Sequence, residues 1–276
     1  MTGRRRTFRG WAAAVVVALL AAGPGSAAAA TIRISGTGGA VQTFRILARA
    51  FQKSRPDVAV AVLPNIGSSG GIRAVLAGKL DIGLSARPLN DAESGRGIVA
   101  RAYARTPMVF AAYRNVRTGG LTSTEVAEIY SGSRSRWEDG KRIRLVLRPP
   151  SDSDIPLLQS MSPAMSEAVA GALRREGMTV AMTDQDAADV IERVPGAFGA
   201  VTLAIVLSER RAIRIVALDG IVPSLRTMGD GSYPHAKTFY VVTKRGVPPA
   251  VRAFLDFVRS PEGAAILSEN GQAPVR

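Results

Sequence analysis

The sequence predicts an α/β fold in which helices cover sheets on both faces. Three observations carry that reading. Short apolar strand-like runs alternate with helix-period patterns along the chain. Strands such as Val58 to Leu63 are nearly continuous in apolar residues, as buried strands are. Two of the strands run directly into glycine- and hydroxyl-rich turns that open helices, Ser35-Gly36-Thr37-Gly38-Gly39-Ala40 and Gly67-Ser68-Ser69-Gly70-Gly71. Such a turn converges unpaired N–H and hydroxyl donors on one point at the positive end of a helix dipole, which holds an anion without burying many charges. Either turn alone is also compatible with an ordinary tight loop; the pair argues for a site.

The elements follow in order. Thr31 to Ile34 is a short strand entering the first turn, and Val41, Phe44, Leu47, Ala48 and Phe51 then repeat at helical spacing. After Val58 to Leu63 and the second turn, Ile72, Val75 and Leu76 mark a short helix stopped at Gly78. Ile82 to Leu84 is a strand with the turn Ala86-Arg87-Pro88-Leu89 beyond it, and Met108 to Ala112 is another strand. Arg114 to Gly120 is polar and turn-rich, and the next helix starts near Thr122 or Ser123 and closes at Gly132. Ile143 to Leu147 reads as a buried strand ending in Arg148-Pro149-Pro150-Ser151-Asp152-Ser153-Asp154. The segment Ile155 to Met161 follows, then a helix with Pro163 in its first turn and Gly177 past its end. Thr183 or Asp184 caps a helix through Val190 and Ile191. Gly196 to Ala200, Ile213 to Leu218 and Thr238 to Val242 supply strands, and helices near Pro248 to Arg259 and Pro261 to Glu269 finish the chain.

Residues 1 to 30 stand apart as a signal peptide. Arg4, Arg5, Arg6 and Arg9 form a basic start, Trp11 to Ala22 an apolar core, Gly23-Pro24-Gly25-Ser26 a break, and Ala27 to Ala30 the small residues a signal peptidase needs. The apolar run is shorter than the ~20 residues of a membrane span. Arg5-Arg6-Thr7-Phe8 approaches a twin-arginine signal without completing it, so the export route stays open. The expectation is a free extracytoplasmic protein in a periplasm-like space. The chain has no cysteine, which excludes disulfides, thiolate metal sites, cysteine nucleophiles and a lipid-modified cysteine.

Setting the four leader arginines aside leaves 32 of the 36 basic residues against 22 acidic ones, a balance of +10 that favours anionic ligands or surfaces. Nucleic acid is disfavoured as a partner, because no basic run follows the leader and few aromatics interleave with the charges.

Together these residues carry a family likeness. Ile66-Gly67-Ser68-Ser69-Gly70-Gly71, then Gly78-Lys79-Leu80-Asp81-Ile82-Gly83 and Ala86-Arg87-Pro88-Leu89, resemble the periplasmic solute-binding proteins of phosphate ABC importers. The turn from Ser35 to Gly39, Glu128-Ile129-Tyr130-Ser131-Gly132 with Trp137, the Arg148 loop, Gly196 to Gly199 and Ser260-Pro261-Glu262-Gly263 support the likeness. The resemblance implies a two-lobed type II periplasmic binding protein fold, each lobe a mixed sheet flanked by helices, with the ligand trapped in the cleft between lobes. Lobe 1 would be residues 31–112 plus 236–276, and lobe 2 residues 113–235; the change in composition near Arg114 and the return to a strand near Thr238 agree with that division.

Carried over by position, Ser68 is similar to the family's serine that donates to a ligand oxygen, and Arg148 resembles its single cleft arginine. Backbone N–H groups around Gly39 and Ala40 would add donors from lobe 1, and Ser151 and Ser153 from lobe 2. A tetrahedral oxyanion wants many short oriented donors, and a guanidinium adds a fork that fits two oxygens. Three departures stand out. Ala40 falls where the family usually has threonine. Ala86 and Arg87 fall where it has the acid that accepts the proton of hydrogen phosphate. Asp152 and Asp154 flank Ser153 where it has Ser-Gly-Thr. Those aspartates replace the missing acceptor, coordinate a cation, or cap the following helix.

The resemblance implies a protein that is not an enzyme. It would capture a small inorganic oxyanion, phosphate favoured, without cofactor or metal, and deliver it as a monomer to the membrane permease of an ABC importer. Delivery to a membrane sensor kinase uses the same shell. A secreted phosphate-ester hydrolase is the alternative from another class, and would need an activated nucleophile or a two-metal site. An interaction protein that has lost its ligand is a third reading, motivated by Ala40 and Ala86. Several residues have plain roles beside sharper ones. His235, the only histidine, reads as a solvent-exposed side chain beside Tyr233-Pro234 rather than a base or metal ligand, and Asp184, Asp186 and Asp189 as acids of a helix's first turns rather than a metal site. Ser35, Ser68 and Ser69 lack a histidine partner for nucleophilic chemistry. Arg87 either contacts ligand or stabilises its own turn.

Overall fold

The computed structural model describes residue 2 and residues 30–275, so the expected signal peptide, residues 1–30, lies outside the described residues except for Thr2 and Ala30. The chain opens with β1 (Ala30–Gly36), α1 (Gly38–Ser54), β2 (Val58–Val62), α2 (Gly67–Leu76) and β3 (Ile82–Ser85). Then come the long β4 (Ile98–Tyr113), α3 (Ser123–Ser131), β5 (Arg144–Leu147), α4 (Asp154–Gln159) and α5 (Pro163–Arg174). The next elements are β6 (Thr179–Val180), α6 (Asp184–Arg193), β7 (Ala197–Thr202), α7 (Leu203–Ser208), β8 (Ile213–Ile215) and α8 (Leu225–Gly229). The chain closes with β9 (Ala236–Lys244), α9 (Pro249–Arg259), α10 (Pro261–Glu269) and β10 (Ala273–Pro274).

The strands form a mixed sheet in the order β2-β1-β3-β9-β4-β7-β5-β6, with β8 and β10 also on β4. β4 is the spine. From Ile98 to Pro107 it pairs antiparallel with β9, and from Met108 to Ala112 with β7, so its partner changes between Pro107 and Met108. The returning chain is fixed at the same level: Met108 N–H donates to the His235 carbonyl at 2.9 Å, and the buried Tyr233 hydroxyl donates to the Met108 carbonyl at 2.7 Å. On one side of this line the apolar faces of α1 and α9 pack Phe44, Phe51 and Phe254 against Ile34, Leu84 and Phe239. On the other, Tyr130 of α3, Val169 of α5 and Trp137 of the loop after α3 are buried in one cluster with Phe110 and Phe198.

Local chemistry explains the ends of the elements. Thr122 and Glu125 form a reciprocal capping box on α3, which terminates at Gly132 with φ 91°. Thr183 and Asp186 form another on α6, while Ser162 and Ser260 accept from the third residue of α5 and α10, each with proline in the first turn. The predicted strand from Met108 to Ala112 is only the end of β4, which starts ten residues earlier. Arg101 and Arg105 are exposed, and they break the apolar signal of that first half. α7 and α8, five or six residues each, carry too few turns for a periodic pattern. His235 is half-buried rather than exposed; its ring meets Tyr233 edge-on at 5.4 Å, and burial lowers its pKa.

Gly36 sets how closely β1 and β3 run as the chain enters α1. Its φ is 153°, and a Cβ there would lie 1.9 Å from the Leu84 carbonyl oxygen. Gly36→Ala therefore costs on the order of 3 kcal/mol in strain and displaced backbone. Chemical denaturation checks this, and a loss below about 1 kcal/mol contradicts it.

Candidate functional site

Between the first turns of α1 and α2 and the loop after β5 lies a cleft of about 330 Å³. One wall carries Thr37, Ser68, Ser69, Arg73 and Arg87, and the other carries Ser151, Asp152, Ser153, Met182 and Asp184. The strand–turn–helix order positions the first wall, because parallel β1 and β2 bring both glycine turns to the same edge of the sheet.

The donors of that wall are built from the backbone. α2 has no side-chain cap, and its Gly67 N–H is taken by Asn65 Oδ1 at 2.8 Å. The Ser68 and Ser69 N–H groups at N2 and N3 have no carbonyl one turn earlier to bond, and both residues line the cleft. Ser68 Oγ accepts from Ala86 N–H at 2.9 Å, which leaves its proton for another acceptor. α1 differs: Ala40 N–H donates to the Thr37 carbonyl at 3.2 Å, and Gly38 N–H donates to Asp184 Oδ2 at 2.8 Å. Gly39 and Ala40 are buried in the first turn of α1 behind the cleft wall, with Gly39 against Thr202 and Phe239. Arg87 lines the cleft and also braces its turn, donating to both oxygens of Glu93 at 2.8 Å and to Ser69 Oγ at 2.9 Å.

The opposite wall is a charge cluster. Arg148, 5% exposed, donates to the Ala181 carbonyl at 2.8 Å and to Asp152 Oδ2 at 2.5 Å, with Asp184 Oδ1 3.8 Å away. Its Nε is buried without a partner among the described residues. Asp152 also accepts from Asp154 N–H at 2.9 Å, so it tethers the start of α4 as well as Arg148. Asp154 is buried and pairs with the buried Lys237 of β9, whose ammonium also donates to Ser153 Oγ at 2.9 Å.

Three carboxylates thus face two cations. Burial opposes the Arg148 charge, but Asp184, Asp152 and Asp154 outweigh it and hold the guanidinium above its ordinary value. Burial likewise works against the Lys237 ammonium, and the same carboxylates hold its pKa up. Asp154 is pushed above the usual carboxylate value by burial, which the nearby Lys237 only partly counters.

The structure thus brings Ser68, Ser151, Asp152 and Ser153 to one cleft, with Arg148 buried beside it. Asp184, Lys237, Arg73 and Met182 were not singled out for the cleft by sequence reasoning. For Lys237 a signal existed, a cation beside the apolar run of a strand; for Asp184 the first-turn spacing pointed only to a helix cap. Asp189 faces away and pairs with Arg211, and among the described residues no group of three acidic or histidine side chains could hold a metal.

A family model described as a PBP superfamily domain matches residues 21–262. The chain belongs to the PBP superfamily. It is 24% identical over 259 residues to the phosphate-binding protein PstS of Bacillus subtilis, covering 90% of this chain and 82% of that one. In three dimensions this PBP-superfamily chain resembles a putative phosphate ABC transporter substrate-binding protein with bound phosphate from Clostridium perfringens. That likeness has a TM-score of 0.77 at 22% identity and covers 89% of this chain and all of the other. An ABC-type phosphate transport receptor from Vibrio cholerae is similar with a TM-score of 0.62 at 17% identity, covering 88% of this chain and 99% of that one. The two-lobed α/β architecture expected from the sequence is the fold of this chain.

Lys237→Met leaves Asp154 buried without its cation and costs about 3–5 kcal/mol of stability. The paired change Lys237→Met with Asp154→Leu recovers part of that loss, because no uncompensated charge remains. Urea denaturation of both variants checks this; a double variant no more stable than Lys237→Met contradicts it.

Proposed function

We propose that the protein is an extracytoplasmic solute-binding protein that captures a small tetrahedral oxyanion, phosphate first, and hands it to the membrane permease of an ABC importer. The observation that carries the reading is the cleft itself. The uncapped start of α2 and the Ser68 hydroxyl stand across from the loop of Arg148, the donor set a tetrahedral oxyanion needs, supplied from two sides. The names of the relatives, among them PstS of Bacillus subtilis and the Clostridium perfringens protein with bound phosphate, support the same ligand.

The lobes are residues 31–112 with 236–276 and residues 113–235, joined by β4 and β9; β4 changes its sheet partner between Pro107 and Met108, inside the first of those ranges. Ser68 donates to the ligand, with the Gly39 N–H behind it in α1; Arg148, Ser151 and Ser153 reach it from lobe 2, and Asp152 holds Arg148 in place. Closure of the lobes excludes water and strengthens each bond, and the permease reads the closed form. The ligand leaves chemically unchanged.

Calorimetric titration of the ligand-stripped protein with phosphate, sulfate, arsenate and molybdate tests the reading. One phosphate binds per chain, and silence across the panel overturns the assignment. Ser68→Ala weakens phosphate by about tenfold or more, the worth of a hydrogen bond to a charged group. Arg148→Ala, checked for folding by circular dichroism, abolishes measurable binding. Unchanged affinity in both folded variants removes these residues from the site.

A further inference from the structure

The first donor of α1, the Gly38 N–H, is already occupied, and by the protein's own carboxylate. Asp184 belongs to the far wall, yet its Oδ2 accepts from Gly38 N–H at 2.8 Å in a buried contact, while its Oδ1 faces Arg148 Nη2 at 3.8 Å. A carboxylate oxygen between a helix N-terminus and a guanidinium stands where an oxyanion's oxygen would stand. Its neighbour Gln185 completes the crossing. Gln185 Nε2 donates to the Gly38 carbonyl at 3.2 Å, and Gln185 Oε1 accepts from Asn65 Nδ2 at 2.8 Å. Asn65 in turn holds Gly67 at the start of α2, so one side chain ties both glycine turns to α6.

Gly38 is shaped for this contact. A Cβ at that position would lie 2.4 Å from Gln185 Oε1, 2.5 Å from Asn65 Nδ2 and 2.7 Å from Asp184 Oδ2. All three are ends of side chains able to swing away, so a methyl group there opens the crossing without touching the core.

We infer that Asp184 is an internal ligand of the cleft. In the free protein its carboxylate takes an anion seat and, with Gln185, holds the two lobes closed; an incoming oxyanion binds by displacing it. The inference rests on the oxyanion reading given above. Affinity for phosphate is then the difference between what phosphate and Asp184 gain from the same donors, and the protein is compact before any ligand arrives.

Small-angle scattering and calorimetry on the wild type, Asp184→Asn and Gly38→Ala test it. The ligand-free wild type is compact and does not contract on adding phosphate, whereas both ligand-free variants have a larger radius of gyration. Asp184→Asn, with a neutral competitor in place of a charged one, binds phosphate about tenfold more tightly than the wild type. Equal radii of gyration in all three ligand-free proteins overturn the inference. So does phosphate affinity in Asp184→Asn that is lower than or within twofold of the wild type, the lower value marking Asp184 as an acceptor for the ligand itself. The scattering comparison needs no ligand: expanded variants in a protein that ignores phosphate uphold the closure and defeat the oxyanion reading instead.

Discussion

The site depends on one constraint: five charged side chains, Arg148, Asp152, Asp154, Asp184 and Lys237, must satisfy one another in or beside the interior. Each of the four that are buried would be costly alone, since an unpaired buried ion loses several kcal/mol of hydration. Their mutual pairing gathers three separate parts of the chain around the cleft. The loop after β5 is anchored through Arg148 to the Ala181 carbonyl ahead of α6, and through Asp154 to β9. Because β9 returns alongside β4, the Lys237 pair ties the site loop to the strands that join the two halves of the molecule. Movement of one half against the other is therefore felt directly where ligand would bind.

The two walls divide the chemistry unequally. The α2 wall offers backbone N–H groups, the Ser68 hydroxyl, Arg73 and an Arg87 already braced by Glu93, all of which favour negative charge. The other wall offers Arg148 with carboxylates around it. A cleft of this kind gains specificity from displacement and fit rather than from excess positive charge, which the overall basicity of the chain would otherwise suggest. In sequence this wall departs from the family resemblance, because an Asp-Ser-Asp run stands in place of the Ser-Gly-Thr pattern that the resemblance leads one to expect.

Much of the architecture was legible in local signals. The capping residues Thr122, Ser162, Thr183 and Ser260, the stop at Gly132 and the two glycine turns mark where helices start and end, because capping and left-handed backbone are properties of a few adjacent residues. β4 was only half visible. Its first residues are Ile98-Val99-Ala100-Arg101-Ala102, and exposed arginine with small side chains does not read as a long strand until β9 is paired beside it. The helical start of α6 was equally visible, and that of α4 was not, but Asp154 and Asp184 each carry a further bond that sequence spacing does not encode.

By itself, the sequence determined the α/β class, the positions of both glycine turns, Ser68 at one of them and Arg148 at the end of a buried strand. These follow from periodicity and from the backbone freedom of glycine, which act over a few residues. Tertiary structure alone decided that Lys237 meets Asp154 across 83 residues and that Asp184 meets Gly38 across 146. Such pairings depend on which buried charges the folded chain brings within hydrogen-bond reach, and electrostatics in a desolvated interior selects among partners that linear spacing leaves equivalent.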